Sequence, residues 1–348
     1  MNAGDAWIRG RPAYRAVVHG WPDRPLLACS GGVDSSALLL LAGSALRRGD
    51  ITPFVVVHVN HQTRPDSAIE ADAVEDLASS FGVQTVRVGI QAGDAPDATA
   101  SPEERLRILR YASLARVAGD LGVGAVVTAH TLNDQVETIL MRLLGGAGGL
   151  AAAGMARRQR METIAGTIEL HRPLLDISRD ELLEVLGWAG VTPLTDPTNA
   201  HRAYRRNALR HDVVPVLRTV FPGFEPALVR SVTLAARDAA ALDEIASQAA
   251  SANATQRGDA TRVNRASLRS ADPAVSTRVI RWAASRLMPD NQRELSFERI
   301  ESVRNAVSGR TGAMIELPYG VVARVTRDEV VFERRNGQRD SECQPEAT

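Results

Sequence analysis

The sequence contains no lysine: all 41 basic residues among its 348 are arginine. This absence excludes every mechanism that runs through a protein lysine. A Walker-type phosphate loop, a Schiff base, a pyridoxal phosphate anchor, a lysyl-AMP intermediate and a kinase-type lysine are all ruled out. A chain of this composition that handles nucleotide phosphates must use backbone amides, hydroxyls, arginine and metal. Cysteine is nearly as scarce. Cys29 and Cys343 lie far apart and form no CxxC pair, which excludes a disulfide framework or a cysteine-rich metal site. Long apolar runs are missing too. The longest, Ala37–Ala42, is far too short for a bilayer and is soon followed by Arg47 and Arg48. The N-terminus is polar where a secretory segment would be apolar. A soluble cytoplasmic protein is expected. Net charge is absent as well, 41 basic against 41 acidic residues, so any nucleic-acid site must come from local clustering.

What is present is an ordinary globular composition, 44% hydrophobic and 24% charged, long enough for about two domains. The first half alternates short apolar segments with amphipathic ones. Strands are expected at Pro25–Cys29, Pro53–Asn60, Gln84–Val88 and Ala125–Ala129, nearly continuous in apolar residues as buried parallel strands are. Helices are expected at Ser35–Arg48, Ser67–Phe81, Pro102–Ala118 and Asp134–Leu144. Ser101-Pro102-Glu103-Glu104 opens the third with a cap, a first-turn proline and dipole-matched acids. The fold class is therefore α/β: an open parallel sheet with helices on both faces, Rossmann-like, binding its ligand beyond the carboxyl ends of the strands. Gly145–Gly154 reads as a loop, and a helix is expected near Arg179–Leu186. A smaller, mainly helical C-terminal domain follows, with helices at Ala227–Ala250, Pro273–Leu287 and Ser296–Val307. A polar break lies behind the first of these, and short antiparallel strands are expected over 313–333. The expected domains are 1–217 and 218–335, with a polar tail at 336–348.

The first strand runs into Ser30-Gly31-Gly32-Val33-Asp34-Ser35-Ser36, and a helix follows. Glycines let the backbone approach a ligand, and the free amides and hydroxyls suit an anion. Asp34 would repel a bare phosphate. It fits either as a helix cap or as the carrier of a metal bridging to phosphate. A tight, capped turn is the plain alternative. The complete string, however, resembles the pyrophosphate loop of the ATP pyrophosphatase superfamily, whose members cleave ATP between the α and β phosphates. That chemistry needs no lysine in the loop.

Further motifs stand at other expected strand ends. Val57-His58-Val59-Asn60-His61 ends the second strand, and Arg64-Pro65-Asp66-Ser67 follows it. Histidines there are more often structural than catalytic. His130 ends the fourth strand, and Asn133-Asp134-Gln135-Val136-Glu137-Thr138 opens the next helix. Asp134 and Glu137, three apart, share one helix face. They either complement the helix dipole or form a negative pocket for an ammonium group. The strongest basic cluster is Asp196-Pro197-Thr198-Asn199 followed by Tyr204-Arg205-Arg206-Asn207-Ala208-Leu209-Arg210-His211, with His201 and Arg202 between. It is either a solvated helix face or a phosphate-binding surface. Arg157-Arg158-Gln159-Arg160 is a smaller one.

Taken together, from about Leu26 to Pro215, these strings resemble the tRNA(Ile)-lysidine synthetase family. The resemblance also rests on Arg110-Tyr111 and Arg172-Pro173-Leu174-Leu175. It implies an ATP-dependent, AMP-forming carbon–nitrogen ligase. ATP would adenylate the C2 oxygen of the wobble cytidine of a CAU-anticodon tRNA(Ile), and the ε-amine of free L-lysine would then displace AMP. It implies ATP contacts from Ser30, Gly31, Gly32, Val33, Asp34 and Ser35, with Mg²⁺ at Asp34. His130, Asp134, Arg110 and Arg206 would be catalytic. Asp134 and Glu137 would bind lysine, and Arg206, Asn207 and Arg210 would face the substrate. The expected partners are tRNA(Ile) and L-lysine, with no membrane and with room for a homodimer. The helical segment after Phe221 would help hold the tRNA, and the strands at 313–333 would end that domain or be a remnant of the further one that longer members carry. The chain departs from the family at Asn133, where an aspartate is common, at Gly145, where an arginine often precedes the glycine, and at Gln62-Thr63. A tRNA thiolase is the nearest competitor, but it would use cysteines near the site, and Cys29 has no partner there. Synthetases fed by a glutaminase would need an amidotransferase motif, and none is visible. A non-catalytic nucleotide- or RNA-binding protein on the same scaffold is the reading from another class.

Overall fold

The computed structural model describes residues 3–60, 67–90, 102–146, 152–194, 205–288 and 295–335. His61, Arg64, the Asp196–Asn199 stretch, His201, Arg202, Tyr204 and the middle of the 145–154 loop lie outside these residues. The chain divides into two compact units, Met1–Thr233 and Leu234–Thr348.

In the first unit α1 (Ala3–Gly10) and α2 (Pro12–Gly20) precede β1 (Leu26–Ala28). Strand and helix then alternate through α3 (Val33–Arg48), β2 (Val55–Asn60), α4 (Ser67–Ser80), β3 (Thr85–Gly89), α5 (Pro102–Asp120), β4 (Ala125–Val127) and α6 (Leu132–Leu144). A hairpin of β5 (Arg158–Thr163) and β6 (Gly166–His171) leads to α7 (Arg179–Ala189). After it come α8 (Arg205–Ala208), a π-helical turn at Leu209–Val213, α9 (Val214–Val220) and α10 (Phe224–Asn253), which crosses the division between the units. The strands form one sheet in the order β3-β2-β1-β4-β6-β5, parallel except for β5 at its edge. The expected parallel sheet is thus present.

Alternation along the strands splits the core into two layers. Leu27 and Val56 face Leu38 and Leu41 of α3 and Leu182 of α7. Leu26, Val57, Val59 and Val126 face Leu109 and Leu114 of α5. Ten of the sixteen residues of α3 are buried, so the run Ala37–Ala42 belongs to a core helix. Gly43 is required there: a Cβ would lie 2.3 Å from the Phe81 ring. Gly49 ends α3 in the left-handed conformation, φ 75°.

The β5–β6 hairpin carries no apolar signal on its outer strand, because β5 is a charged edge. Arg157 pairs with Asp176 and Arg160 with Glu162. That cluster therefore lies at and beside an edge strand, with two of its three arginines matched by acids. Pro173, Leu174 and Leu175 pack into the core, and the buried Arg172 donates to the Ala156 carbonyl and to Gln159 Oε1.

The second unit holds β7 (Ala254–Arg257), β8 (Ala260–Asn264), α11 (Arg265–Ser270), α12 (Pro273–Ser285), α13 (Phe297–Ser308), β9 (Met314–Glu316), β10 (Val321–Val325) and β11 (Glu329–Arg334). Its antiparallel sheet runs β7-β8-β11-β10-β9 over a core of Val263, Ile280, Val303, Val321 and Phe332. The polar break expected after residue 250 is where β7 forms. Its residues are largely exposed, so it shows no hydrophobic alternation, and Gly258 turns the chain at φ 57°.

Candidate active site

The strand order fixes where a ligand can sit. From β1 the chain moves to β2 and β3 on one side, then returns to β4 on the other. The loops leaving β1 and β4 therefore diverge and open a crevice at the carboxyl edge. The Ser30–Ser36 loop and the His130–Asp134 segment are those two loops.

At the first, Gly31 has φ +84°, and a Cβ there would lie 2.7 Å from Leu194 Cδ1. Only glycine fits. Gly32 has an ordinary backbone, φ −72°, and a Cβ would meet only Ser30 Oγ at 3.8 Å. Its lack of a side chain leaves the loop open to the crevice. The hydroxyls fix the loop from within. The Ser30 N–H donates to Ser35 Oγ (3.2 Å), Ser35 Oγ–H to the Gly32 carbonyl (3.1 Å) and Ser36 Oγ–H to the Gly31 carbonyl (2.9 Å). Ser35 and Ser36 are thus buried and structural, while Ser30 is exposed.

Asp34 stands in the first turn of α3. Its Oδ2 is 3.4 Å from an Arg179 guanidinium nitrogen, and its Oδ1 is buried without a partner among the described residues. Burial pushes its carboxyl up to about 6; Arg179 opposes the shift and Asp134 adds to it.

The second loop holds His130, Asp134 and Glu137. His130 Nδ1 shares a hydrogen bond with Thr128 Oγ1 (2.9 Å). Burial, with Arg172, Arg110 and Arg206 nearby, holds the imidazole neutral far below its usual titration range. Asp134 Oδ2 accepts from the Thr131 N–H (2.9 Å) and hydroxyl (3.1 Å) at the start of α6. Burial opposes its charge, but the Thr131 amide, Arg206 and Arg210 outweigh it and keep the carboxyl below the ordinary range. Asp134 is therefore both a cap and a carboxylate on the cavity wall. Its Oδ1 faces Arg206 and Arg210 at 3.6 and 3.5 Å. Glu137, buried at 2% exposure, is bound more closely: Arg206 Nε at 2.8 Å on Oε2, Arg210 Nε at 2.6 Å on Oε1 and a second Arg210 nitrogen at 3.0 Å. Arg206 and Arg210 are four apart, across α8 and the π-helical turn, so both reach the same carboxylate.

Two cavities meet here. One, of about 350 Å³, is lined by Ser30, Gly32, Asp34, Arg110, His130 and Asp134, with Val57, Val59, Tyr111 and Leu114 as an apolar wall. The other, of about 330 Å³, lies across Asp34, Arg179 and Arg210 and includes Glu137 and Asp180. Every candidate site residue read from the sequence lies in this region of the first unit. Gly31 is buried in the loop, and Arg206 and Asn207 lie on α8; none of the three lines either cavity. Arg110 stacks on the Tyr111 ring, 5.1 Å from its centroid. His58 sits apart. It is buried on the opposite face of β2 from Val57 and Val59, with Nδ1 3.0 Å from the Cys29 carbonyl oxygen.

One residue, Arg179, escaped the sequence reading, and a second, Asn133, figures there only as a departure. Arg179 lines both cavities. Asn133, in the position where the first carboxylate is absent, accepts the Arg179 backbone N–H at 3.0 Å and so ties α6 to α7. An aspartate would accept that bond equally, so the departure leaves this contact intact. Nothing local in the sequence separates Arg179 from the other arginines.

Residues 16–217 match the PP-loop domain family. The chain is 40% identical over 246 residues to the tRNA(Ile)-lysidine synthase of Salinispora arenicola, covering 69% of this chain and 71% of that one. It is 38% identical over 286 residues to that of Thermobifida fusca, covering 79% and 81%. It is 32% identical over 308 residues to that of Dehalococcoides mccartyi, covering 87% of this chain but only 64% of the longer relative. Among solved structures, the U34-tRNA thiolase NcsA of Methanococcus maripaludis shares the fold, with a TM-score of 0.52 at 16% identity over 65% of this chain and 78% of that one.

Proposed function

The chain belongs to the PP-loop tRNA(Ile)-lysidine synthase family, and from that premise we propose that it joins the ε-amine of free L-lysine to C2 of the wobble cytidine of CAU-anticodon tRNA(Ile). In this reading ATP first adenylates the C2 oxygen and pyrophosphate leaves, and the amine then displaces AMP. The observation that carries it is the meeting, at one crevice, of a hydroxyl- and amide-lined loop with a separate acidic corner, His130 standing between them.

Each part supplies a stated interaction. The amides and hydroxyls around Ser30, Gly32 and Val33 receive phosphate oxygens. Val57, Val59, Tyr111 and Leu114 give a flat apolar wall suited to a purine. Asp34 Oδ1, buried and unpartnered, fits a divalent cation. No cluster of three or more His, Cys, Asp and Glu is present among the described residues, so other ligands would be phosphate and water oxygens. Mg²⁺ bound there would neutralise charge on the triphosphate and on the departing pyrophosphate. Arg110, on the cavity wall, stands where charge on the adenylate can be stabilised.

In the acidic corner, three guanidinium nitrogens already occupy Glu137. Asp134 Oδ1, with its arginines at 3.5 Å or beyond, is the more open acceptor for an ammonium. The amine has an unperturbed pKa of about 10.4, so it must lose a proton before it attacks. In this reading Asp134 accepts a hydrogen bond from it, and the neutral His130 hydrogen-bonds at the base or phosphate. Arg206 and Arg210 position Glu137, and with Asn207 they extend a basic surface toward the polynucleotide. We take 1–217 as the catalytic domain and 218–335 as the part that holds tRNA, in a cytoplasmic protein. Among the described residues no helix is long and apolar enough to cross a membrane.

The test follows labelled lysine into acid-precipitable RNA with purified protein, Mg-ATP and an unmodified CAU-anticodon tRNA(Ile) transcript. Incorporation that needs both ATP and the wobble cytidine is expected. AMP release with tRNA but no lysine incorporation would refute lysine as the nucleophile, and tRNA binding with neither would favour a non-catalytic binder.

A further inference from the structure

We propose that Arg179 is the arginine that anchors the pyrophosphate half of ATP, opposite the Ser30–Ser35 loop. Four observations carry this assignment. In a chain without lysine, arginine is the only permanently cationic side chain that can meet a triphosphate. Three arginines line the cavity beside the loop: Arg110, Arg179 and Arg210. Arg210 is engaged with both oxygens of Glu137, and Arg110 is stacked on Tyr111. Arg179 is held less firmly than Arg210. Among the described residues its guanidinium makes one contact, 3.4 Å to Asp34 Oδ2, while Asp34 Oδ1 stays unpartnered.

Its backbone, by contrast, is fixed. The Arg179 N–H donates to Asn133 Oδ1 (3.0 Å), and the Leu132 N–H donates to the Ile177 carbonyl (3.0 Å). Two contacts thus fix the base of a long side chain to the start of α6, from which it reaches Asp34 beside the loop that leaves β1. Its cationic end rests loosely on the one carboxylate adjoining the phosphate loop. A guanidinium so placed meets a phosphate oxygen by rotating its side chain, with no movement of α7, and charge-assisted bonds to phosphate are about twice as strong as neutral ones. Arg179 then contacts the group that departs in the first step, and its effect falls on pyrophosphate and not on the nucleoside.

The inference rests on the adenylation reading for its first step only, and its test needs neither tRNA nor lysine. Inorganic pyrophosphate and AMP are titrated separately, at fixed MgCl₂, into the full chain and into Arg179→Lys, Arg179→Gln and Arg179→Ala, with melting temperatures recorded. Arg179→Ala and Arg179→Gln are expected to raise the pyrophosphate Kd at least tenfold and the AMP Kd less than twofold. Arg179→Lys is expected to recover most of the loss. A merely structural arginine would weaken both ligands together. Equal weakening, or a pyrophosphate Kd within twofold of wild type in folded Arg179→Gln, overturns the assignment. Where Arg179→Ala does not fold, the contrast of Lys with Gln decides. Failure of lysine incorporation alongside an Arg179-dependent pyrophosphate affinity would overturn the lysidine reading and leave this one standing.

Discussion

The two acidic corners of the crevice are built in opposite ways. Asp34 has one loose arginine, an unpartnered oxygen and a carboxyl pushed up to about 6 by burial. Glu137 is more deeply buried, yet both its oxygens are bound by paired arginines, and Asp134 beside it is kept ionised by a cap and the same cations. A carboxylate left under-satisfied in the native fold has an interaction still to make, in the proposed reading with a cation brought by the nucleotide. A carboxylate already satisfied is part of the framework. Burial alone does not distinguish the two; the partner count does.

Substitutions sharpen this contrast. Asp34→Asn should have the largest effect on activity, at least 100-fold on tRNA-dependent AMP release, while the fold survives. The sign of its stability effect is the stricter check. A carboxyl whose folded pKa lies above its unfolded value costs stability as pH rises through that interval, here from 3.8 toward about 6. In metal-free buffer Asp34→Asn should therefore melt higher than wild type at pH 8, by on the order of 2–3 kcal/mol, with the gain gone at pH 4. Mg²⁺ should raise the wild-type melting temperature and leave the variant unmoved. A destabilised Asp34→Asn at pH 8 would break the comparison.

Glu137→Ala should behave in the reverse manner. It removes the closest partner of two partly buried guanidinium groups, leaving them the more distant Asp134, and should cost about 3 kcal/mol at neutral pH, read by urea denaturation. A variant as stable as wild type would show that the arginines do not need this carboxylate.

The glycines repeat the contrast on a smaller scale. Gly31→Ala meets both a positive φ and Leu194, and should cost about 1–2 kcal/mol. Gly32→Ala should leave stability within about 0.5 kcal/mol, since it meets neither strain nor a close neighbour, yet raise the KM for ATP several-fold. Last, His130 should show no imidazole titration by NMR between pH 5 and 9, because burial and nearby arginines hold it neutral. A titration near 6.5 would place it in water.

Much of the first unit is legible in the sequence because its signals are local. β1 to β4 are short apolar runs, and α3 to α6 begin near recognisable caps or motifs. The edge strand β5 is not legible, since Arg158, Arg160 and Glu162 read as a solvated cluster until the pairing with β6 is known. β7 hides for a similar reason. In the site, Asp34, His130, Asp134 and Glu137 stand out by spacing after strand ends. That Arg206 and Arg210 bind Glu137, 69 and 73 residues away, is a tertiary fact that no local pattern encodes. Arg179 and Asn133 belong to the same class, since their roles appear only when α6 and α7 meet.

The division of labour between the corners is tested most directly by tRNA-dependent ATP–pyrophosphate exchange in folded Asp134→Asn, measured beside lysine incorporation. The account predicts exchange within about fivefold of wild type, and lysine incorporation lowered at least 100-fold, a difference of about 2 kcal/mol or more between the two steps. Exchange and incorporation falling together, in a variant that melts like wild type, would contradict it.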